Sequence, residues 1–589
     1  MKLVRFLSTL ALAGLALVAL SASAGALAAP GNGDPVLINS LPYTINDSGS
    51  YALAGNLTSE QGIIINASRV TLDLGGFGLM GRETSGDGIV VRGNRSDIEI
   101  RNGSISGWGG VGIQAETAFN GSFHDLRISA NGLCGLRAGH AAVVESVVAQ
   151  GNGGVGIQGA EALVVSDCSA SSNAAWGFEL GTGSTIQGSS ALQNGGGGIF
   201  VTDGSLVRDN VVYGNGWLPA DGGESACGAS TLGGIAVLGL GSRVDDNTVC
   251  HNTYGLQLLS GENSVSGNMV SGNSTNYQFE PGNQLELMLC ELPVTISWPA
   301  KVTLAGTLMG DRAQDGITVD ADGVTIDMLD HGLVGVEGSF CAIRVMPGRS
   351  AVHIMDGYVR DWGNCGINAE GAFDCRIVQV SVESNDQDGL RVGPGSSIVD
   401  CTAHGNGNDG IKTDQDCTVT GATSNENGGD GVEVGMHSNV SGTTASENVL
   451  FGIRADRGSQ IAHCTASRNS MGIAVTLGCT VESNTTSFNS LIGIRAEKQC
   501  LLLSNLCDQN STGIFVSYGP GTRVEGNNLS NNQIGLSIAA GGNLAIRNSS
   551  WADVMAFSID PLSSFGPIVD LAGGGVVATD NPWANASGP

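Results

Sequence analysis

The chain has 589 residues and a formal net charge of −29, from 55 Asp and Glu against 26 Lys and Arg. That balance argues against nucleic acid and anionic membranes as partners, since both are bound through clustered cations. It also repels acidic polysaccharide unless Ca²⁺ or a local basic patch intervenes. Glycine supplies 92 residues, hydrophobic side chains 41% and charged ones only 14%, so the chain is too apolar for disorder and too long for one globular core.

Lys2 and Arg5 precede an apolar run from Phe6 to Leu20, and Ala26-Leu27-Ala28 follows as a cleavage site, with Ala22-Ser23-Ala24 as a second. This is the pattern of a secretory signal peptide over residues 1–28. It predicts an exported mature protein, extracellular, periplasmic or on the cell surface. No later stretch is long and apolar enough to span a bilayer, so the protein is expected not to be membrane-spanning.

Residues 29–283 form a first array. Its segment around 36–60 stands where a solenoid needs an N-terminal cap. A glycine followed by a large apolar residue then recurs: Gly112-Ile113, Gly135-Leu136, Gly156-Ile157, Gly177-Phe178 and Gly198-Ile199. A fixed period near 21 predicts a coil whose every turn is one repeat. An inserted loop at 214–233, with Trp217 and Cys227, breaks the spacing, and Asn276 to Phe279 closes the array.

Residues 284–589 form a second array and a C-terminal cap. Gly366-Ile367, Gly389-Leu390, Gly410-Ile411, Gly431-Val432 and Gly452-Ile453 repeat the first set with a constant offset of 254 residues, as Trp362 repeats Trp108. The whole array is duplicated. Two capped arrays in tandem and one continuous rod with a seam near residue 284 are both compatible with this pattern.

Within one repeat, Gly410 to Asp430, the alternation Ile411-Lys412-Thr413-Asp414 reads as a half-buried strand. Thr418-Val419-Thr420 and Ala422-Thr423-Ser424 read as two more, separated by turn residues. No segment after residue 28 keeps a helical apolar stripe. The expected fold is all-β: a right-handed parallel β-helix of about 21 residues per coil. Asn recurs seventeen residues after each glycine, at Asn152, Asn173, Asn194 and Asn215, then at Asn406, Asn427, Asn448, Asn469, Asn489 and Asn510. Such a column stacks side-chain amides at a turn and is read as structural.

The residue before each glycine defines the candidate site. In the second array it is Asp388, Asp409 and Asp430, with Arg391, Lys412, Glu433 and Arg454 on the outward strand position. Stacked carboxylates offer oxygen ligands for Ca²⁺, a carboxylate pair for glycoside hydrolysis, or an acid and base for a lyase. The plainer reading is a solvated ladder of turn residues. In the first array the phase reads Val155, Trp176, Gly197, Gly233 and Tyr254, with Phe200 near it and Trp217 in the loop. Aromatic rings on a flat face suit carbohydrate stacking, and packing against the loop or the other array is the alternative. Cys168, Cys401 and Cys464 share the phase of small core residues. Cys341 with Cys365 and Cys479 with Cys500 fall on adjacent rungs, within disulfide range though not necessarily with the right torsion, and a Cys227–Cys250 bond would clip the inserted loop.

The repeats, with GSYALAGNLT at 49–58, GIIINASRVTLDLGGFGLMG at 62–81 and FGPIVDLAGGGVVATDNPWAN at 565–585, resemble a family of secreted bacterial right-handed parallel β-helix repeat proteins of the pectin-lyase-like superfamily. That subgroup has no established activity. The superfamily includes polysaccharide lyases, glycoside hydrolases, epimerases and adhesins, and fold does not choose among them. The expected function is a non-catalytic carbohydrate- or envelope-binding or structural protein. The alternative is a Ca-dependent lyase or hydrolase of acidic polysaccharide centred on Asp388, Asp409, Arg391 and Lys412, and the third reading is a scaffold without a small ligand.

Overall fold

A strand of three alternating residues buries one face only, so repeats of this kind become stable by stacking. The computed structural model describes residues 34–82, 84–216, 233–571 and 580–589; the stretch 1–28, Trp217 and Cys227 lie outside them. The described residues form an all-β parallel solenoid of about 25 turns without a helix. In the repeat from Gly410 the strands are Ile411–Thr413, Thr418–Thr420 and Thr423–Asn425, the third one residue later than its apolar pattern suggests. Ile411 pairs in parallel with Leu390 on one side and Val432 on the other.

The first strands of the rungs make two sheets: 11 strands from Tyr43–Ile45 to Thr275–Phe279, and 13 from Val294–Ile296 to Met555–Ile559. The other strands form a 45-stranded sheet, which runs through the seam. Strand Gln284–Leu289 pairs with Ser264–Ser266 and Met269–Ser271 before it and with Lys301–Leu304 after it. Trp298 packs edge-on against Phe279 and donates its indole N–H to the Phe279 carbonyl at 2.7 Å. One hydrophobic core extends from Ile38 to Ala545.

Two columns set the register. Each Asn Oδ1 accepts the backbone N–H and the side-chain N–H of the Asn one rung earlier: Asn427 donates both to Asn448, at 3.1 and 2.9 Å, and receives both from Asn406 at 3.0 Å. The ladder runs buried from Asn131 to Asn215 and on through Asn252, and from Asn385 to Asn532. The recurring glycines exist because of it. A Cβ on Gly431 would lie 2.6 Å from both the Asn448 amide nitrogen and the Gly452 carbonyl oxygen. The corner after the second strand is left-handed on rung after rung, at Asp400, Gly421, Gly442 and His463, a bend that folds the third strand away from the second.

Candidate functional site

The outward position of the 13-stranded sheet reads, rung by rung, Arg344, Asn368, Arg391, Lys412, Glu433, Arg454, Ala474 and Arg495. Five of these eight are cations, in a chain with 26 in all. The equivalent run of the first half, from Gln114 through Arg137, Gln158, Glu179 and Phe200 to Ala236 and Gln257, holds one. Adjacent rungs lie about 4.8 Å apart, and the second-half cations stand on this line at steps of one or two rungs.

Behind them lies the acidic column. Asp388, Asp409 and Asp430 are 0%, 5% and 2% exposed, which corrects the expectation of a solvated ladder. Each carboxylate joins a backbone N–H to a cation, and Asp388 Oδ1 also accepts the Asn408 side-chain amide at 2.6 Å. Asp388 Oδ1 accepts the Asp409 N–H at 3.0 Å, Asp409 Oδ1 the Asp430 N–H at 2.7 Å, and Asp430 Oδ1 the Phe451 N–H at 3.1 Å. The second oxygen faces a cation: Asp388 Oδ2 lies 2.6 Å from Arg391, Asp409 Oδ2 3.4 Å from Lys412 and Asp430 Oδ2 3.6 Å from Arg454. Glu433 is shared by Lys412 and Arg454, and Glu370 pairs with Arg391 at 3.1 Å. The column continues upstream as Asp315, Cys341 and Cys365: Asp315 accepts the Cys341 N–H at 2.9 Å and pairs with Arg344. Cys341 and Cys365 are free thiols beside it, as Cys479 and Cys500 are elsewhere in the core.

Neutralisation weakens along this line. Burial pushes the Asp430 carboxyl up to about 6; the Asp409 and Glu433 charges add to this, while the Phe451 N–H and Arg454 oppose it. Burial also raises Asp409, against the Asp430 N–H and Lys412. For Glu433 burial is outweighed by Lys412 and Arg454, and its carboxyl is lowered. Lys412, Glu433, Arg454, Asp456 and Thr476 line a cavity of about 190 Å³.

Oxygens of Asp409, Asp430 and Glu433 lie within 4.8 Å of one another, but Lys412 Nζ touches both Asp409 and Glu433. An ammonium thus occupies the place a Ca²⁺ would take, and Asp388 is turned away onto Arg391. The residues expected to bind Ca²⁺ do not fit it as arranged. The carboxylates of Asp388, Asp409 and Asp430 are also each tied to a backbone N–H.

In the first half the same phase is apolar. Trp176 is 1% exposed and packs with Val111, Val155, Ala175 and Ala236 in a small second core; its ring centre lies 5.5 Å from that of Phe200, which is half-buried. Trp176, expected as part of a stacking platform, is therefore a packing element, with Phe200 packed against it. Tyr254 is half-buried at the start of its strand. The duplicated halves fill one position with two kinds of interior: hydrocarbon in the first, ion pairs in the second.

A parallel β-solenoid with one ion-paired sheet face defines the class of protein. The family model of the right-handed β-helix region matches residues 62–239 and 341–491, more than half of the chain, and the chain belongs to that family. Among solved structures it is similar to the Azotobacter vinelandii mannuronan C-5 epimerase AlgE6 A-module, with 14% identity, a TM-score of 0.36 and coverage of 52% of this chain and 91% of that one. It is similar to the Agl-KA catalytic domain at 11% identity and TM-score 0.32, covering 60% and 62%, and to pectate lyase Pel9A at 16% and 0.24, covering 47% and 68%. No curated protein sequence matches. Among the described residues no helix is long and apolar enough to cross a membrane.

Proposed function

We propose that this is an exported, non-catalytic glycan-binding protein that holds an extended acidic polysaccharide along the outward face of the second-half sheet. One observation carries the reading: Arg344, Arg391, Lys412, Arg454 and Arg495 share one column of a strongly acidic protein. These cations are the groups a polyanion partner engages, in exchange with the carboxylates that pair with them in the free protein. The cations stand one or two rungs apart, at about 4.8 Å per rung, so an extended chain laid along the column meets a cation at intervals along its length. Arg454, 52% exposed, and Arg495, 32% exposed and paired with Glu497 at 3.5 Å, are the working contacts; Lys412, 34% exposed, is held by both Asp409 and Glu433.

The test is affinity electrophoresis through gels containing polygalacturonate, alginate or a neutral glucan. Retention by the acidic gels that falls with salt, and falls again in the Arg454→Ala/Arg495→Ala variant, supports the reading. Equal mobility in all gels sinks it.

One observation favours a second reading, a lyase or hydrolase. Asp430 titrates near 6 beside a cavity lined by Lys412 and Arg454, which suits a proton donor near neutral pH. Release of unsaturated or reducing ends from polyuronate, lost in Asp409→Ala and in Asp430→Asn, would establish it over binding alone.

A further inference from the structure

The C-terminal turns carry a pocket that shares no residue with the ion-paired column. Its volume is about 390 Å³, and its walls include Leu544, Ile546, Phe565, Pro567 and Trp583. The chain builds it by returning: Asn548 donates its backbone N–H to Asn585 across 37 residues, and Arg547 Nε donates to the Pro582 carbonyl at 2.8 Å. The Arg547 guanidinium then stacks 4.6 Å from the centre of the Trp583 ring. That stacking fixes the indole, and Asn581 Oδ1 accepts the Trp583 backbone N–H at 2.9 Å. Trp583 is 46% exposed and Phe565 48%, so two aromatic rings are held at the mouth of an apolar pocket.

We propose that this pocket binds one ring of an uncharged sugar. A pre-fixed indole with an open surface presents a π-face to the C–H bonds of a pyranose at little ordering cost. The pocket edge supplies hydrogen-bonding groups, the Ser564 hydroxyl and the Arg523 guanidinium. It does not present an isolated charge. Arg523 lies 2.6 Å and Arg547 3.1 Å from the Glu525 carboxylate, which they share, and the walls carry none. An acidic sugar would compete with Glu525 for both guanidinium groups; a neutral one need not. This site is independent of the acidic-polysaccharide reading, because the two use different residues and ligands of different charge, one neutral and one anionic.

The full chain is titrated calorimetrically with cello-, xylo-, manno- and malto-oligosaccharides and with oligogalacturonate. The expected result is binding of at least one uncharged member, with Kd raised about tenfold in Trp583→Ala and in the pocket-filling Ser564→Phe. The Arg454→Ala/Arg495→Ala variant keeps that Kd, whatever it does to acidic ligands. Circular dichroism checks that each variant is folded, and Ser564→Phe carries the test if Trp583→Ala is not. Three outcomes overturn the proposal: no uncharged member binds, binding survives the folded pocket variants, or the ligand that depends on the pocket is oligogalacturonate.

Discussion

The carboxylate of Asp388, with no exposed side-chain surface, meets the guanidinium of Arg391 at 2.6 Å. Among the described residues Arg391 is the only cation paired with it, since the other contacts are the Asp409 N–H and the Asn408 amide. Arg391→Ala therefore leaves a buried carboxylate without its counter-charge, a loss of about 3–5 kcal/mol. Denaturant unfolding should show it, and Asp388→Asn in the same chain should restore most of the loss. A single variant as stable as the parent would show that the pair matters little.

Asp430 makes stability depend on pH in the opposite sense to an ordinary ion-paired carboxylate. Its folded pKa of about 6 lies above the usual 3.8, so between these values the folded chain binds a proton that the unfolded chain does not. Its contribution is full below pH 4 and is lost as pH rises through 6, a change of about 3 kcal/mol at most. Asp430→Asn keeps an acceptor for the Phe451 N–H and removes the titration. The difference in unfolding free energy between variant and parent should grow in favour of the variant from pH 4 to 7; a flat difference contradicts it.

Asn427 is satisfied on both sides of its rung, accepting from Asn406 and donating to Asn448 and to the Ala403 carbonyl. Removing the amide in Asn427→Ala orphans buried groups above and below, each worth about 1–3 kcal/mol. Amide hydrogen exchange should speed up first in rungs 403–453, and proteolysis should follow there. Uniform protection across the variant would mean that the ladder is ornamental.

Trp176 belongs to a core strip, so Trp176→Ala should lower stability by about 3–5 kcal/mol and leave glycan retention unchanged. Acrylamide quenching should barely reach its indole in the folded chain. Loss of glycan binding in a variant of parental stability would restore it as a ligand contact.

Much of this molecule is periodic, and periodicity is local enough to read. The 21-residue step predicts the rungs, and the glycine and Asn columns belong to one packing unit, since the Asn448 amide fills the space a Gly431 side chain would need. A second ladder, Asn484, Asn505, Asn527, Asn548 and Asn585, carries the same signal at another corner. Its spacing of 21 to 22, broken at the last step, hid it behind the stronger column. Cys464, expected as a small core residue, sits buried at its head and donates its N–H to Asn484.

The rung, its length, its duplication at 254 residues and the phase of its glycine and Asn columns are legible from residue order alone, because each rests on hydrogen bonds and apolar contacts repeated at one spacing. Trp108 and Trp362 illustrate this: both are fully buried and donate to Leu79 and Leu333, which are again 254 apart. Which phases lie inside is settled by the packing of neighbouring rungs. The position before each glycine is covered or open according to the length and charge of side chains on the rungs above and below it. The same phase therefore became hydrocarbon around Trp176 and a buried salt-bridge line at Asp388, Asp409 and Asp430. The Trp583 pocket was equally out of reach, since it exists only where the last turn folds back across 37 residues onto the sheet.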